Sequence, residues 1–365
     1  GGALFAFVLL PFLGLTYTPV LIGSLNLLVA SLVLWHFSNH LIRPRILNIQ
    51  FAVLLIISVL AFSVAKPIVL YGEQHKYKDK IIYQEQTRYQ KIVVTQWKDN
   101  FWLFINGSTQ FSTYDEERYH EPLVHPVMSL LKEHKDILLL GAGDGLAARE
   151  ILKYSDVESL TLVDLDPAIT RLARQHKMFL RVNQGSLNDP RVRVLNKDAY
   201  QFMKESPDLY DAIIIDLPDP KSVSLSLLYS LGFYKMVEKH LKPFGAMVTQ
   251  STSPLYSPEA FLCIKKTMQA ANFSTLPYQN SIPSMGQWGW VLGIRKNIMP
   301  AKRLKQEVIA KKLSNIETRF FNQNAMISMA YFGKGLFEKE EKIEPNTQFN
   351  HNILKYYRQG SWDLY

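Results

Sequence analysis

Cysteine is almost missing from this chain: Cys263 is the sole example in 365 residues. One thiol excludes an intrachain disulfide and any CxxC metal site, and it suits a reducing compartment. Internal repeats and low-complexity tracts are absent as well. Charge is scarce over the first 70 positions, where Ala3–Leu15, Val20–Trp35 and Ile46–Ala65 form three apolar runs. No basic segment precedes the first run and further runs follow it, a poor match to a signal peptide. Two runs are long enough to cross a bilayer as helices of about 20 residues. The first is short and reads as the tail of a longer helix. Pro11, Gly14, Pro19 and Gly23 predict breaks between separate helices, and His40–Arg45 predicts a short polar loop. A buried core hairpin is the alternative, but the hydropathy favours membrane insertion. Lys66, Lys76, Lys78 and Lys80 follow the last run, against Arg43 and Arg45 before it. That bias predicts an inner membrane of bacterial type with the remainder of the chain facing the cytoplasm.

A formal charge of +9 invites a nucleic-acid reading. No basic stripe interleaved with aromatics supports one, and much of the excess lies after the last run and in 296–312. Contact with membrane lipid, and none with nucleic acid, is the expectation.

Beyond the apolar region, Lys80–Phe111 alternates β-branched and aromatic residues around Asn106-Gly107, predicting a small antiparallel sheet. From Ile137 the pattern becomes strand–helix alternation. Strands are expected at Ile137–Leu140, Leu160–Val163, Val192–Leu195, Ala212–Ile215 and Ala246–Thr249. Helices are expected at Leu146–Tyr154, Ala168–His176, Ala199–Lys204 and Tyr234–His240. This is an α/β chain: a Rossmann-like, methyltransferase-type doubly wound sheet behind a small antiparallel β domain and N-terminal transmembrane helices. Four segments follow: 1–70 transmembrane, 71–120 antiparallel β, 121–297 nucleoside-binding and catalytic, and 298–365 a helical extension.

Chemistry-bearing residues gather at the expected strand ends. Gly141-Ala142-Gly143-Asp144-Gly145 is a glycine-rich turn between strand and helix, and Asp164, about 20 positions on, is placed to bind ribose hydroxyls. Asp144 within the turn would repel a pyrophosphate, which points to a cationic nucleoside lacking phosphate, such as S-adenosylmethionine or its decarboxylated form. Asp198 follows the third strand, where an adenine amino group needs an acceptor. Helix capping is the competing role for Asp164 and Asp198. Asp216 and Asp219, in IIDLPDPKS, sit on a loop stiffened by Pro218 and Pro220. Two carboxylates facing a sulfonium suit an amine substrate: one accepts its proton and the other fixes its charge.

These residues, with Tyr89-Gln90, Gln110-x-Ser112-x-x-Asp115-Glu116-x-x-Tyr119-His120-Glu121, Asp189-Pro190-Arg191-Val192 and Tyr210-Asp211, resemble the spermidine synthase family of aminopropyltransferases over roughly 89–296. Gln250-x-x-Ser253-Pro254 and Pro283-Ser284-Met285-Gly286-x-Trp288-Gly289 look like its membrane-attached branch, with earlier helices missing. The resemblance implies that Gln90, Asp144, Asp164, Asp198 and Ala199 bind decarboxylated S-adenosylmethionine as co-substrate. It implies that Tyr119, His120 and Asp219 line the amine pocket and that Asp216 is the proton acceptor. It further implies a homo-oligomer, release of methylthioadenosine, no tightly bound cofactor and no metal.

Departures from the family lie beside the amine. A Gly-Pro-containing, Glu-bearing loop is replaced by Lys221-Ser222-Val223-Ser224-Leu225-Ser226-Leu227-Leu228, leaving Asp219 as the sole acid between Leu217 and Leu231 and adding Lys221. Weak or absent use of putrescine, with donor consumption that does not depend on added diamine, is the expectation, unless an acid from outside the loop such as Glu121 or Glu259 folds into the pocket. Intramolecular cyclisation or elimination on the sulfonium donor, methyl transfer, and a catalytically silent polyamine or nucleoside sensor or transporter are the alternative functions.

Overall fold

The computed structural model describes residues 10–37, 44–313 and 316–364. The start of the first apolar run and most of the expected 40–45 loop lie outside the described residues. Helix α1 (Leu10–His36) is continuous over 27 residues through Gly14, Pro19 and Gly23. The expected breaks therefore do not occur. An interior glycine costs about 1 kcal/mol and a proline about 3 kcal/mol, and a long ladder with bonds on both sides of each lesion absorbs that cost. Helix α2 (Pro44–Gln74) likewise runs past Ala65 and through Pro67. Tyr17–His36 and Arg45–Val64 are long and apolar enough to cross a membrane, with mean hydropathies of 1.8 and 2.3, and almost none of either is buried. The Tyr17 and Phe62 rings meet at 5.4 Å.

The chain forms two compact units, one running through Gln84 and including Val94–Asp99, the other comprising Glu85–Val93 and Asn100–Tyr365. Strands β1 (Lys80–Gln86), β2 (Lys91–Trp97), β3 (Asn100–Ile105) and β4 (Ser108–Ser112) form a sheet in that order. Asn106 and Gly107 both take positive φ, 51° and 81°, between the antiparallel β3 and β4. That is the backbone which an Asn-Gly hairpin turn favours.

The larger unit is built on a seven-stranded sheet. Its strands are β5 (Asp136–Gly141), β6 (Ser159–Asp164), β7 (Val192–Asn196), β8 (Tyr210–Asp216), β9 (Leu241–Gln250), β10 (Phe273–Ile282) and β11 (Gly286–Arg295), in the order β10-β11-β9-β8-β5-β6-β7. The five from β5 to β9 pair in parallel, and β11 and β10 add antiparallel. The expected doubly wound sheet is present. The two antiparallel strands were not anticipated, because their glycines and prolines (Pro277, Gly289, Gly293) interrupt the apolar pattern.

Strand alternation sends Leu138, Leu140, Ile213, Ile215 and Met247 into one core, packed with residues of α7 (Ala199–Glu205), α9 (Leu231–Lys239) and α10 (Pro258–Ala270). Their neighbours Ile137, Leu139, Ile214 and Val248 are fully buried too, as strands covered on both faces require. Helix α3 (Glu117–Leu130) precedes β5, α4 (Leu146–Ile151) follows it, and α5 (Pro167–Gln175), α6 (Lys177–Asn183) and α8 (Val223–Leu227) complete the alternation. The last 60 residues are less helical than expected. Only α11 (Ala301–Ala310), α12 (Gln323–Met329) and α13 (Asn352–Arg358) are α-helical among the described residues there.

Candidate active site

Strand order reverses between β5 and β8, and open α/β sheets bind ligands at such a point beyond the strands' carboxyl ends. Gly141 pairs there with Asp216. A Cβ on Gly141 would stand 2.0 Å from the Asp216 carbonyl oxygen, and one on Gly143 would stand 2.6 Å from an Asp164 carboxylate oxygen. The glycines of the turn are thus demanded by the approach of the two neighbouring strand ends.

Asp164 accepts from the N–H groups of Gly143 at 3.1 Å and Asp166 at 2.9 Å. It does not cap α5. Asp166 does so, accepting from Ala168 at 3.0 Å. Burial pushes Asp164 up to about 6 despite those two donors, with Asp144 and Asp166 adding to the rise. Asp144 is also raised by burial, opposed by the charge of His120. Asp198 takes the capping role: it is exposed and accepts from the Gln201 N–H at 2.9 Å, with Ala199 buried at the first position of α7. Gln90 closes a turn with Thr87, whose hydroxyl donates to Asp166 at 2.7 Å.

The second half of the site comes from α3. Pro122 and Pro126 have no N–H, so the carbonyls of Arg118 and Pro122, four residues earlier, lose their helical donors. Asn280 and Tyr278 of β10 fill both places, each at 2.8 Å. The helix that carries Tyr119 and His120 is thereby fastened to the sheet. Tyr119 donates its hydroxyl to Asp216 at 2.5 Å, and its ring lies 5.4 Å from that of Trp290. Burial pushes Asp216 up to about 6; Tyr119 and His120 pull it down, while Asp144 and Asp219 push it further. Burial together with Asp216 keeps the Tyr119 hydroxyl protonated.

His120 bonds through Nδ1 to the Glu116 carboxylate at 3.1 Å. Burial opposes its positive charge, but Glu116, Asp144 and Asp216 outweigh burial and raise its pKa. Glu116 in turn receives both terminal nitrogens of Arg149, at 3.0 and 2.9 Å, and a bond from Arg319. Against the burial penalty, His120 and Arg149 hold it down to about 2. Asp115 fixes the 283–286 loop by accepting from the Ser284 N–H and hydroxyl, both at 2.7 Å.

Asp219 is bonded by Tyr357 at 2.9 Å and by Gln250 at 3.4 Å. Burial raises it, with the charge of Lys221 and these two hydrogen bonds in opposition. Lys221 itself donates to Ser108 at 2.7 Å. Glu121 does not supply the missing acid: its carboxylate accepts from the N–H groups of Arg319, Phe320 and Phe321 at 2.7, 2.8 and 2.7 Å. Gln250 also donates to the Leu217 carbonyl and the Tyr229 hydroxyl, both at 2.6 Å, and accepts from the Trp288 indole at 3.2 Å. Tyr229, Gln250 and Trp288 thus hold the loop between Asp216 and Asp219. Sequence reasoning gave Tyr229 and Tyr357 no role there; the clustering of aromatics in the tail was the one signal.

Asp144, Asp164, Asp216, Asp219, Tyr119 and His120 are therefore linked by contact or charge at one end of the sheet. Four acids around the switch point can hold a cationic nucleoside and an amine, and Asp216 is poised to exchange a proton near neutral pH.

Comparison with known proteins identifies the family. Residues 116–306 match the spermine/spermidine synthase domain. The chain is 38% identical to a polyamine aminopropyltransferase of Oceanobacillus iheyensis over 370 residues, covering 100% of this chain and 70% of the relative. It is 38% identical to one from Leptospira interrogans, covering 98% and 70%. Among solved structures, spermidine synthase from Thermotoga maritima superposes with a TM-score of 0.63 at 26% identity, over 72% of this chain and 88% of that one. A spermidine synthase in complex with the transition-state analogue AdoDATO gives 0.64 at 26% identity, over 72% and 89%. The chain belongs to the spermidine synthase family of polyamine aminopropyltransferases and is a transferase.

Proposed function

We propose that the protein transfers the aminopropyl group of decarboxylated S-adenosylmethionine to an amine, releasing methylthioadenosine, with Asp216 as the proton acceptor. The observation that carries this is the Tyr119–Asp216 bond at the switch point, with a carboxyl pushed up to about 6. An alkylammonium, with a pKa of about 10, is no nucleophile until it has lost a proton. Asp216, ionised above about pH 6, is the group to take it. Tyr119 orients that carboxylate as a neutral donor.

Asp144 and Asp164 would hold the donor, Asp164 through its ribose hydroxyls, with Gln90, Asp198 and Ala199 around the base. His120, positively charged when protonated and held by Glu116, would balance Asp144 and Asp216. Asp219 would pair the distant ammonium of the amine. Once both reactants sit in these pockets, proximity supplies much of the acceleration. The bond between sulfur and the propyl carbon breaks as nitrogen bonds to that carbon, and the sulfonium becomes a neutral thioether.

The two apolar helices support anchoring in a membrane, and the lysines after α2 support a catalytic unit on the cytoplasmic side. Association into a homo-oligomer remains an expectation of the family resemblance. Incubation with decarboxylated and intact donor, with and without putrescine, tests the whole reading. Aminopropylated amine and methylthioadenosine in equal amounts are expected. Putrescine-independent release would favour self-reaction of the donor instead.

A further inference from the structure

The loop after Asp219 departs from the family pattern, and it is held by a part of the chain beyond the matched domain, which ends at residue 306. Ser226 of α8 bonds to His351 at 2.8 Å, and its carbonyl accepts from Asn346 at 2.8 Å. Asn346 also accepts from the Leu231 N–H at 2.8 Å through its carbonyl and donates its own N–H to the Thr267 hydroxyl at 2.8 Å. Helix α13 lies against α10 with Ile353 fully buried and Tyr357 6% exposed. Trp362 locks the helix end, donating to the Tyr357 carbonyl at 2.8 Å with the two rings 4.5 Å apart. The Tyr357 hydroxyl, so held, donates to Asp219 Oδ2 at 2.9 Å.

We infer that the C-terminal extension forms the acceptor-side wall of the active site, with Tyr357 positioning the Asp219 carboxylate for the distant ammonium of a diamine. The inference rests on the aminopropyl-transfer reading. A family loop that carries its own acid can pair this ammonium directly. Here the loop has no acid beyond Asp219, and the extension compensates by fixing that one carboxylate. A buried carboxylate tends to take up a proton, and a hydroxyl donated to it favours the ionised form that an ammonium needs. The donated bond occupies Oδ2, while Oδ1 has only the looser contact from Gln250 at 3.4 Å. Tyr357 belongs to this chain's recognition of charge on the amine, not to the transfer step.

The test is Tyr357→Phe in the full chain, assayed with putrescine and with butylamine, which has the same four-carbon chain and lacks the second amine. Loss of one hydrogen bond to a charged group predicts a KM for putrescine raised about tenfold or more. KM for butylamine, kcat and methylthioadenosine affinity should stay within about twofold. An unchanged putrescine KM, or equal losses for both amines, would overturn the inference, the second outcome marking a structural role only. Wild-type protein that turns over neither amine would instead defeat the transfer reading. Calorimetric titration of putrescine into wild type and variant, with methylthioadenosine present, then decides the role of Tyr357: equal affinities reject it.

Discussion

At the scale of single residues, two half-buried aspartates carry the site's pH behaviour. Asp216→Asn keeps an oxygen for the Tyr119 hydroxyl and removes the base, so kcat should fall by about 10²–10⁴-fold. Methylthioadenosine affinity should change little. The same substitution has a stability consequence with a definite sign. Asp216 is raised from 3.8 to about 6 in the folded chain, so its contribution to stability is full below about pH 4 and is lost as pH rises through about 6. Asp216→Asn should therefore melt at a higher temperature than wild type at pH 7.5, a gain that vanishes by about pH 4 in a thermal scan. For Asp164→Ala, loss of the carboxylate proposed to accept ribose hydroxyls should weaken methylthioadenosine at least tenfold, since such bonds contribute about 1.5–3 kcal/mol each. Calorimetry reads that directly, and unchanged affinity would place the ribose elsewhere.

At the scale of elements, α3 is the part on which the site depends. Its two prolines are tolerated because β10 satisfies the carbonyls they leave bare. Its buried Glu116 gathers His120, Arg149 and Arg319. Glu116→Gln leaves Arg149 with Glu150 as its remaining anionic partner and should cost about 3 kcal/mol, the lower end for breaking a buried ion pair. Denaturant titration measures it. Glu116 and Glu150 are both depressed to about 2 from 4.5. Their stabilisation is present above about pH 4.5 and is lost as pH falls toward 2. Opposed by the two raised aspartates, it should place the wild-type stability maximum on the acid side of neutrality.

At the scale of the whole molecule, the question is what the two apolar helices do. Over half of the surface of Leu25, Ile49, Ile56 and Val59 is exposed, far more apolar area than a soluble monomer usually leaves open. The full chain should sediment with membranes and resist carbonate extraction. Orientation can be read with a single thiol, because Cys263 is fully buried and burial pushes its thiol up to about 12, leaving it inert. In a Cys263→Ala background, Lys78→Cys should be labelled by an impermeant maleimide only after the membrane is opened. Labelling of intact cells would reverse the proposed topology.

Local pattern was enough to specify the parallel strands from β5 to β9, the Asn-Gly hairpin and the glycine-rich turn, because period-2 burial, turn chemistry and close backbone approach each constrain neighbouring residues. The acids at strand ends were legible for the same reason: a parallel sheet delivers its carboxyl ends to one edge. Capping could not be assigned from spacing, since Asp164 and Asp166 both lie within three residues of the start of α5, and only the folded backbone chose Asp166. Sequence alone also placed breaks in α1 that the helix does not have, because a proline's local cost says nothing of the bonds on either side. Tyr357 reaches Asp219 across 138 positions, and Glu121 is claimed by a segment about 200 residues away. No local signal encodes such pairs. They arise only when distant segments pack together, and that is why the partners of Asp219 and Glu121 were decided by tertiary structure and the acids at the strand ends by sequence.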